Sequence, residues 1–321
     1  MRSTHSPGSG NRIVLLLTLL MNSASVPVTA QGERPLISVS TLLLADIVRN
    51  VAGDRAEVYS VMPKAADPHT WEAVPEALVR LSESDTFISI GAHLEPFVEA
   101  GGWRRAVKDN GIPELVIADH LAMIAVDKVI DHGDHTHDLR KGDPHIWLDP
   151  QKLIEAIPII ERHLAAIEPD GAATYAGNAA AYTGQVAALD AELVRDLATI
   201  PEHRRKLIVF HDAYTYFAAR FGFEVIGIVL RSSEVEVSAR ELVDLQGVVA
   251  ESGVRVIFAE PQFNTEVLSV FVDENDVVIG ELLTDAFADR VTTYLELMRF
   301  NRDSLIRHLG GIAATPEAGG N

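Results

Sequence analysis

The stretch Asp131-His132-Gly133-Asp134-His135-Thr136-His137-Asp138-Leu139-Arg140-Lys141-Gly142-Asp143-Pro144-His145-Ile146-Trp147-Leu148-Asp149-Pro150 holds four of the chain's twelve histidines, in two chemically different settings. His132, His135 and His137 lie among Gly, Asp, Thr and Lys. That is loop composition with nothing apolar to bury, and 131–142 is expected to be a flexible histidine-containing loop. His145 instead sits between two prolines and beside a tryptophan. Pro144 fixes its own φ and restricts Asp143, so this histidine belongs to a rigid turn. The same phrase occurs earlier as Asp67-Pro68-His69-Thr70-Trp71. Each copy precedes a helix-like segment, and the pair reads as two metal-ligand turns.

Outward from these turns the chain alternates strand and helix. Leu36–Ser40, Ala56–Met62, Thr86–Ile90 and Glu114–Ala118 are apolar, strand-like runs. Helical patterns follow the first run, and further ones cover about 74–81 and 94–100. Mostly apolar strands separated by helices predict a parallel sheet covered on both faces. Ligands of such sheets bind off the carboxyl ends of the strands, where His69 falls. From Glu168-Pro169-Asp170, apolar residues recur every three or four positions (Ala172, Tyr175, Ala179, Tyr182, Val186, Leu189, Leu193, Leu197) until Pro201. A helix of that length, roughly 45 Å, reads as a rigid spine. The alternation then restarts with Lys206–Phe210, Glu224–Val229, Val254–Ala259 and Val277–Ile279, with a capping box at Ser238–Glu241 and a last amphipathic helix over 290–309. The fold class expected is α/β, with two lobes, each a mostly parallel sheet flanked by helices, joined by one long rigid helix. The lobes span 33–168 and 204–309, the spine 169–200, and a Gly/Ala/Pro tail at 310–321 is expected to be disordered.

A formal charge of −19 leaves no basic patch to displace phosphate counterions, which argues against nucleic acid. Residues 1–30 carry Arg2 and Arg12, the apolar run Ile13–Met21 and a Val28-Thr29-Ala30 ending, the pattern of a cleaved secretory signal peptide. Its removal takes two arginines and no acids, moving the charge from −19 to −21. No later stretch approaches the ~20 apolar residues of a membrane span. Cysteine is absent, so a metal site must use imidazole and carboxylate, and no lipid-anchoring cysteine is expected. A bacterial periplasm is the compartment this implies.

His69, His145 and His211 each follow a strand-like or rigid segment at a turn. Imidazole suits zinc and other late first-row ions, and a tetrahedral site needs a fourth donor. Asp285 follows the last strand of the second half and is the leading candidate, with Glu260, at the end of another strand, as its rival. Asp67, Asp143 and Asp149 read as turn formers. Asp212 could orient His211, and Trp71 and Trp147 read as packing residues.

Taken together, Asp67-Pro68-His69, Asp143–Pro150, Phe210-His211-Asp212-Ala213-Tyr214, Phe258–Phe263 and Tyr294–Asn301 resemble the metal-binding solute-binding proteins of zinc and manganese ABC transporters, over about residues 35 to 309. The resemblance implies two α/β lobes clamping a metal, with His69 and His145 from the first and His211 and Asp285 from the second. Manganese-type members tend to carry a carboxylate where His211 stands, so the resemblance points to Zn(II) as the transported ligand. His132, His135 and His137 would be accessory metal ligands in a loop much shorter than the longest examples, and Glu260 and Asp212 supporting groups behind the site. Two features depart from the family pattern. Glu234–Ser238 replaces its usual Glu-Pro-Ser, and Pro68 stands where some zinc members place a further carboxylate.

The implied function is a non-enzymatic periplasmic receptor that captures Zn(II) and hands it to a membrane permease. A periplasmic zinc metallochaperone is a candidate donor, and the receptor is expected to be a monomer. The alternatives are the same role for Mn(II) or Fe(II), or a secreted zinc hydrolase. Against the hydrolase stand the lack of a His-Glu-x-x-His motif and of an evident nucleophile triad.

Overall fold

In this computed structural model the described residues are 1, 3, 34–125, 129–131, 136–138, 142–230, 237–285, 287 and 290–310. The expected signal peptide (bar two positions), His132, His135, residues 234–236 and the tail beyond 310 lie outside them.

The first lobe runs β1 (Leu36–Val39), α1 (Leu42–Ala52), β2 (Glu57–Ser60), α2 (Pro75–Ser82), β3 (Thr86–Ser89), α3 (Pro96–Glu99), α4 (Gly101–Asn110) and β4 (Glu114–Val116). Its sheet is parallel, in the order β2-β1-β3-β4. β1 and β3 are buried along their whole length, as the central strands of a doubly covered sheet must be. Two short strands, β5 (Val129–Asp131) and β6 (Thr136–Asp138), then pair antiparallel, with Ile130 opposite His137. The segment expected to be irregular is therefore a hairpin at its base. Helix α5 (Pro150–Ile167) follows, with Asp149 as N-cap accepting from Gln151 N and Pro150 in the first turn. This is the helix-like segment expected after the second turn, and it accommodates Pro158 in its interior.

The spine is α6 (Ala172–Leu197), whose 26 residues span about 39 Å. Pro169–Gly171 forms a 3-10 turn before it, so the helix is shorter than expected at its start. Its buried stripe holds Tyr175, Ala179, Tyr182, Val186, Leu189, Leu193 and Leu197 as anticipated, but Ala172 is only half-buried and Asp190 joins the buried face.

The second lobe comprises β7 (Lys206–His211), α7 (Thr215–Phe221), β8 (Glu224–Leu230), α8 (Ala239–Ser252), β9 (Val256–Ala259), α9 (Ser269–Asn275), β10 (Val278–Glu281) and α10 (Tyr294–Leu309). All four predicted strands and the capping box at Ser238 and Glu241 recur, with β9 starting two residues and β10 one residue later than expected. The last helix starts at Tyr294 because Thr293 and Glu296 form a capping box there. The sheet is again parallel, in the order β10-β9-β7-β8. Read from the edge, β8-β7-β9-β10 repeats the connectivity of β2-β1-β3-β4. Each sheet thus reverses direction between its two central strands, the point where open α/β sheets bind ligands.

α6 packs against α1, α5 and α10, which fills the space between the sheets with helices. One apolar core runs through both lobes, including Val39, Trp147, Tyr182, Leu189, Phe217, Leu283 and Tyr294. Separate layers lie outside each sheet, around Phe87 and Trp103 in the first lobe and Phe210 and Ile257 in the second. A continuous apolar interface of this kind opposes large lobe motion.

Candidate metal centre

His69 lies in the loop after β2, and His145 lies just before α5. In both turns the aspartate two residues ahead accepts the histidine N–H: Asp67 Oδ1 at 3.0 Å and Asp143 Oδ1 at 2.9 Å. The repeated Asp-Pro-His thus has a local cause. Proline sets φ, the carboxylate closes an Asx turn, and the imidazole leaves the turn in a fixed direction. His211 is the last residue of β7. Asp285 follows β10 on a segment held by Asn301, which is fully buried. The Asn301 side chain accepts from Leu283 N and donates to Leu283 O, each at 2.8 Å.

These elements bring His69, His145, His211 and Asp285 together, with one donor atom of each within 4.8 Å of all the others. The three imidazole centroids form a near-equilateral triangle of 5.4, 5.2 and 5.1 Å sides. Asp285 caps it. Its oxygens lie 3.9 Å from His69 Nε2, 3.8 Å from His145 Nε2 and 3.9 Å from His211 Nδ1. A tetrahedral site with bonds of about 2.0–2.1 Å has edges of about 3.3 Å, and the Asp285 edges exceed that by roughly half an ångström. His145, His211 and Asp285 are buried, while the His69 side chain retains 17% exposure.

His145 Nε2 and both Asp285 oxygens are buried without a hydrogen bond. Buried polar atoms are seldom left so, and a cation is the group that would satisfy a carboxylate and imidazole lone pairs at once. The titration behaviour agrees. Burial pushes the Asp285 carboxyl up to about 6, despite the attraction of His145 and His211. Burial by itself would depress His211, but the Glu260 hydrogen bond and the nearby Asp285 charge outweigh it and raise the ring to about 9.

Glu260, weighed as a rival ligand, stands behind His211. Its Oε1 lies 3.4 Å from His211 Nδ1 and accepts from the Thr284 hydroxyl at 3.3 Å. This is the supporting position behind the site that the sequence reading offered to Glu260 alongside Asp212. Asp143 does more than form a turn. Its Oδ1 is also 2.7 Å from His145 Nδ1, and although burial opposes ionisation, the His145 charge and hydrogen bonds hold the carboxyl below its ordinary value. Sequence spacing could not show that Asp143 reaches the ring as well as the backbone. Trp147 packs as expected, and its indole also donates to Thr284 O. His137 lies in β6, eight residues before His145, and is not among the four clustered residues. Among the described residues no helix is long and apolar enough to cross a membrane.

Residues 37–308 match the family described as ZnuA, zinc-uptake complex component A, periplasmic. The chain belongs to this family. Among relatives of this ZnuA-family chain, the manganese-binding lipoprotein MntA of Halalkalibacterium halodurans is 26% identical over 305 residues, 92% of this chain and 96% of the relative. The zinc-binding protein TroA of Treponema pallidum is 27% identical over 295 residues, 87% and 90% of the two chains. A solved structure of the periplasmic zinc-binding TroA superposes with a TM-score of 0.73 at 26% identity, covering 86% of this chain and 99% of that one. A structure of a periplasmic metal-binding protein from candidatus liberibacter asiaticus shares the fold, with a TM-score of 0.74 at 20% identity over 86% and 100% of the chains. Like other ZnuA-family members, the chain is a metal-binding substrate-binding protein of an ABC transporter, a receptor type that works with membrane permease components.

Proposed function

We propose that this receptor captures Zn(II) in the cleft between its lobes, ligated by His69, His145, His211 and Asp285, and delivers it to the permease for import. The observation that carries the reading is the donor set: three imidazoles in a triangle capped by one buried carboxylate. Imidazole-rich, four-donor sites favour zinc, whereas manganese prefers more oxygen donors and higher coordination. Four protein donors leave no position for a reactive water, which suits a receptor and not a hydrolase. The family description names zinc uptake and the periplasm, and TroA carries a zinc name. MntA carries a manganese name, which supports Mn(II) as the second reading.

Several relatives carry lipoprotein names, which stand against the expectation of an unanchored protein. The sequence here contains no cysteine to carry a lipid, and we infer a periplasmic protein released by the signal at 1–30.

Equilibrium dialysis with elemental analysis, run with Zn(II) and Mn(II) in competition, tests the assignment. One Zn(II) per chain, retained against excess Mn(II) and lost in a His145→Ala, Asp285→Ala double variant, is the expected result. Retention of tight zinc by that variant, or preferential Mn(II) uptake, removes it.

A further inference from the structure

Helix α7 belongs to the second lobe, and its chain arrives directly from His211, yet its first turn grips the first lobe. The Tyr216 side chain is 1% exposed, and its hydroxyl accepts the backbone N–H of Ile124 at 2.8 Å. The carbonyl of that same Ile124 accepts from Asp143 N at 3.0 Å. Asp143 Oδ1 in turn lies 2.7 Å from the His145 ring. Tyr216, Ile124, Asp143 and His145 are thus joined in series across the cleft. The approach of the two first-lobe segments depends on Gly142, whose φ is +117° and whose Cβ, if it had one, would meet Met123 Cβ at 2.4 Å.

The far end of α7 is anchored as well. Arg220 donates to both oxygens of Asp190 on α6, at 2.9 and 2.5 Å, and Asp190 also accepts from Gln151 in the first turn of α5. With both ends of α7 fixed, the Tyr216 hydroxyl has a defined place against Ile124.

We propose that Tyr216 is a positioning residue for metal retention, holding the turn that carries His145 in register with the strand end that carries His211. Removing its hydroxyl leaves the Ile124 N–H without its acceptor and frees the 123–124 and 142–145 segments to shift together. The His145 ring then loses its fixed direction, and the ion leaves sooner. Capture is little changed, because the charges that draw a cation in are untouched. The inference rests on the reading of the four clustered residues as the metal site.

The test is release of Zn(II) from the loaded full-length protein into excess chromophoric chelator, followed by stopped flow. Tyr216→Phe is expected to release metal about tenfold faster than the parent, the low end of what loss of a ligand-orienting group costs. Arg302→Ala removes an α10–α6 ion-pair anchor far from this series and is expected to release at the parent rate. If Tyr216 acts through Asp143, Tyr216→Phe adds nothing to an Asp143→Ala background. Should Tyr216→Phe not fold, Gly142→Ala presses the same segments apart and carries the same expectation. Parent-like release by Tyr216→Phe, full multiplication of its effect on Asp143→Ala, or equal acceleration by Arg302→Ala each overturns the proposal. His145→Ala separates the two readings. If it keeps one tight zinc, the site assignment fails; if it loses zinc while Tyr216→Phe releases normally, only the positioning role fails.

Discussion

The indole of Trp147 donates to the backbone carbonyl of Thr284 at 3.2 Å, joining residues 137 positions apart. Trp147 stands two residues after His145, and Thr284 immediately precedes Asp285. The bond therefore ties the neighbours of two proposed ligands to each other across the lobes. Tyr294 adds a second tie, donating its hydroxyl to Trp147 O at 2.9 Å. With the shared apolar core, these bonds hold the two lobes to each other beside the site.

Trp147→Phe keeps an aromatic ring but leaves Thr284 O without its donor in a fully buried setting. A loss of about 1–3 kcal/mol is expected for the orphaned group, with lost volume adding to it. Urea unfolding of the metal-free protein measures it, and metal affinity should fall in parallel.

Metal affinity should rise with pH. The His211 ring, raised to about 9, is protonated in the metal-free protein at neutral pH and must release a proton on binding. Between pH about 6 and 9 the apparent affinity is expected to gain about tenfold per pH unit, levelling above that. Below about 6 the raised Asp285 carboxyl adds a second proton and the slope steepens. Isothermal titration in buffers of different ionisation enthalpy counts the protons directly.

Without metal, both folded-state values are raised, so each group favours the fold below its unfolded value. The Asp285 contribution is lost as pH rises through about 6, and that of His211 as pH rises through about 9. Thermal melts of the metal-free protein should therefore show a decline across both windows, reversed by adding metal.

Asp285→Asn preserves shape while removing a buried charge. The metal-free variant is expected to melt no lower than the parent, because ionising that carboxylate in a dry site is costly. The stabilisation by metal, about 2.7 kcal/mol for the parent at a hundredfold excess over Kd, should largely vanish. Differential scanning fluorimetry with and without Zn(II) reads both effects.

Asp143→Asn and Glu260→Gln each weaken the orientation of one imidazole. Affinity losses of roughly 10–100-fold are typical for such groups. Asp143 should cost more, since it lies 2.7 Å from its ring against 3.4 Å for Glu260. Competition titration against a chelator of known affinity ranks the two.

Local periodicity made much of the architecture legible. The α6 stripe, the apolar strands and the Ser238 capping box each depend on neighbours a few residues away, which a sequence displays directly. The start of α10 was harder, because Thr293 competes with an apolar pattern that begins earlier. The base of the 131–142 segment was obscured by composition that looks irregular until β5 and β6 pair. Glu260 and Asp212 could not be ranked from spacing, since both adjoin strand ends and only the packing of β9 beside β7 turns Glu260 toward His211.

Read alone, the chain determined which residues can bind a metal and on what local frame: imidazoles on proline-stiffened turns or strand ends, and no thiolates. These properties are set by covalent geometry and short-range hydrogen bonds. Tertiary structure decided which of them meet. Residues from 69 to 285 converge only because two sheets of the same connectivity direct their carboxyl ends into one cleft and an apolar helical layer holds them there. It also set the direction in which His211 is shifted, since Glu260 and Asp285 favour its charged form through a dry interior, where screening by water is weak.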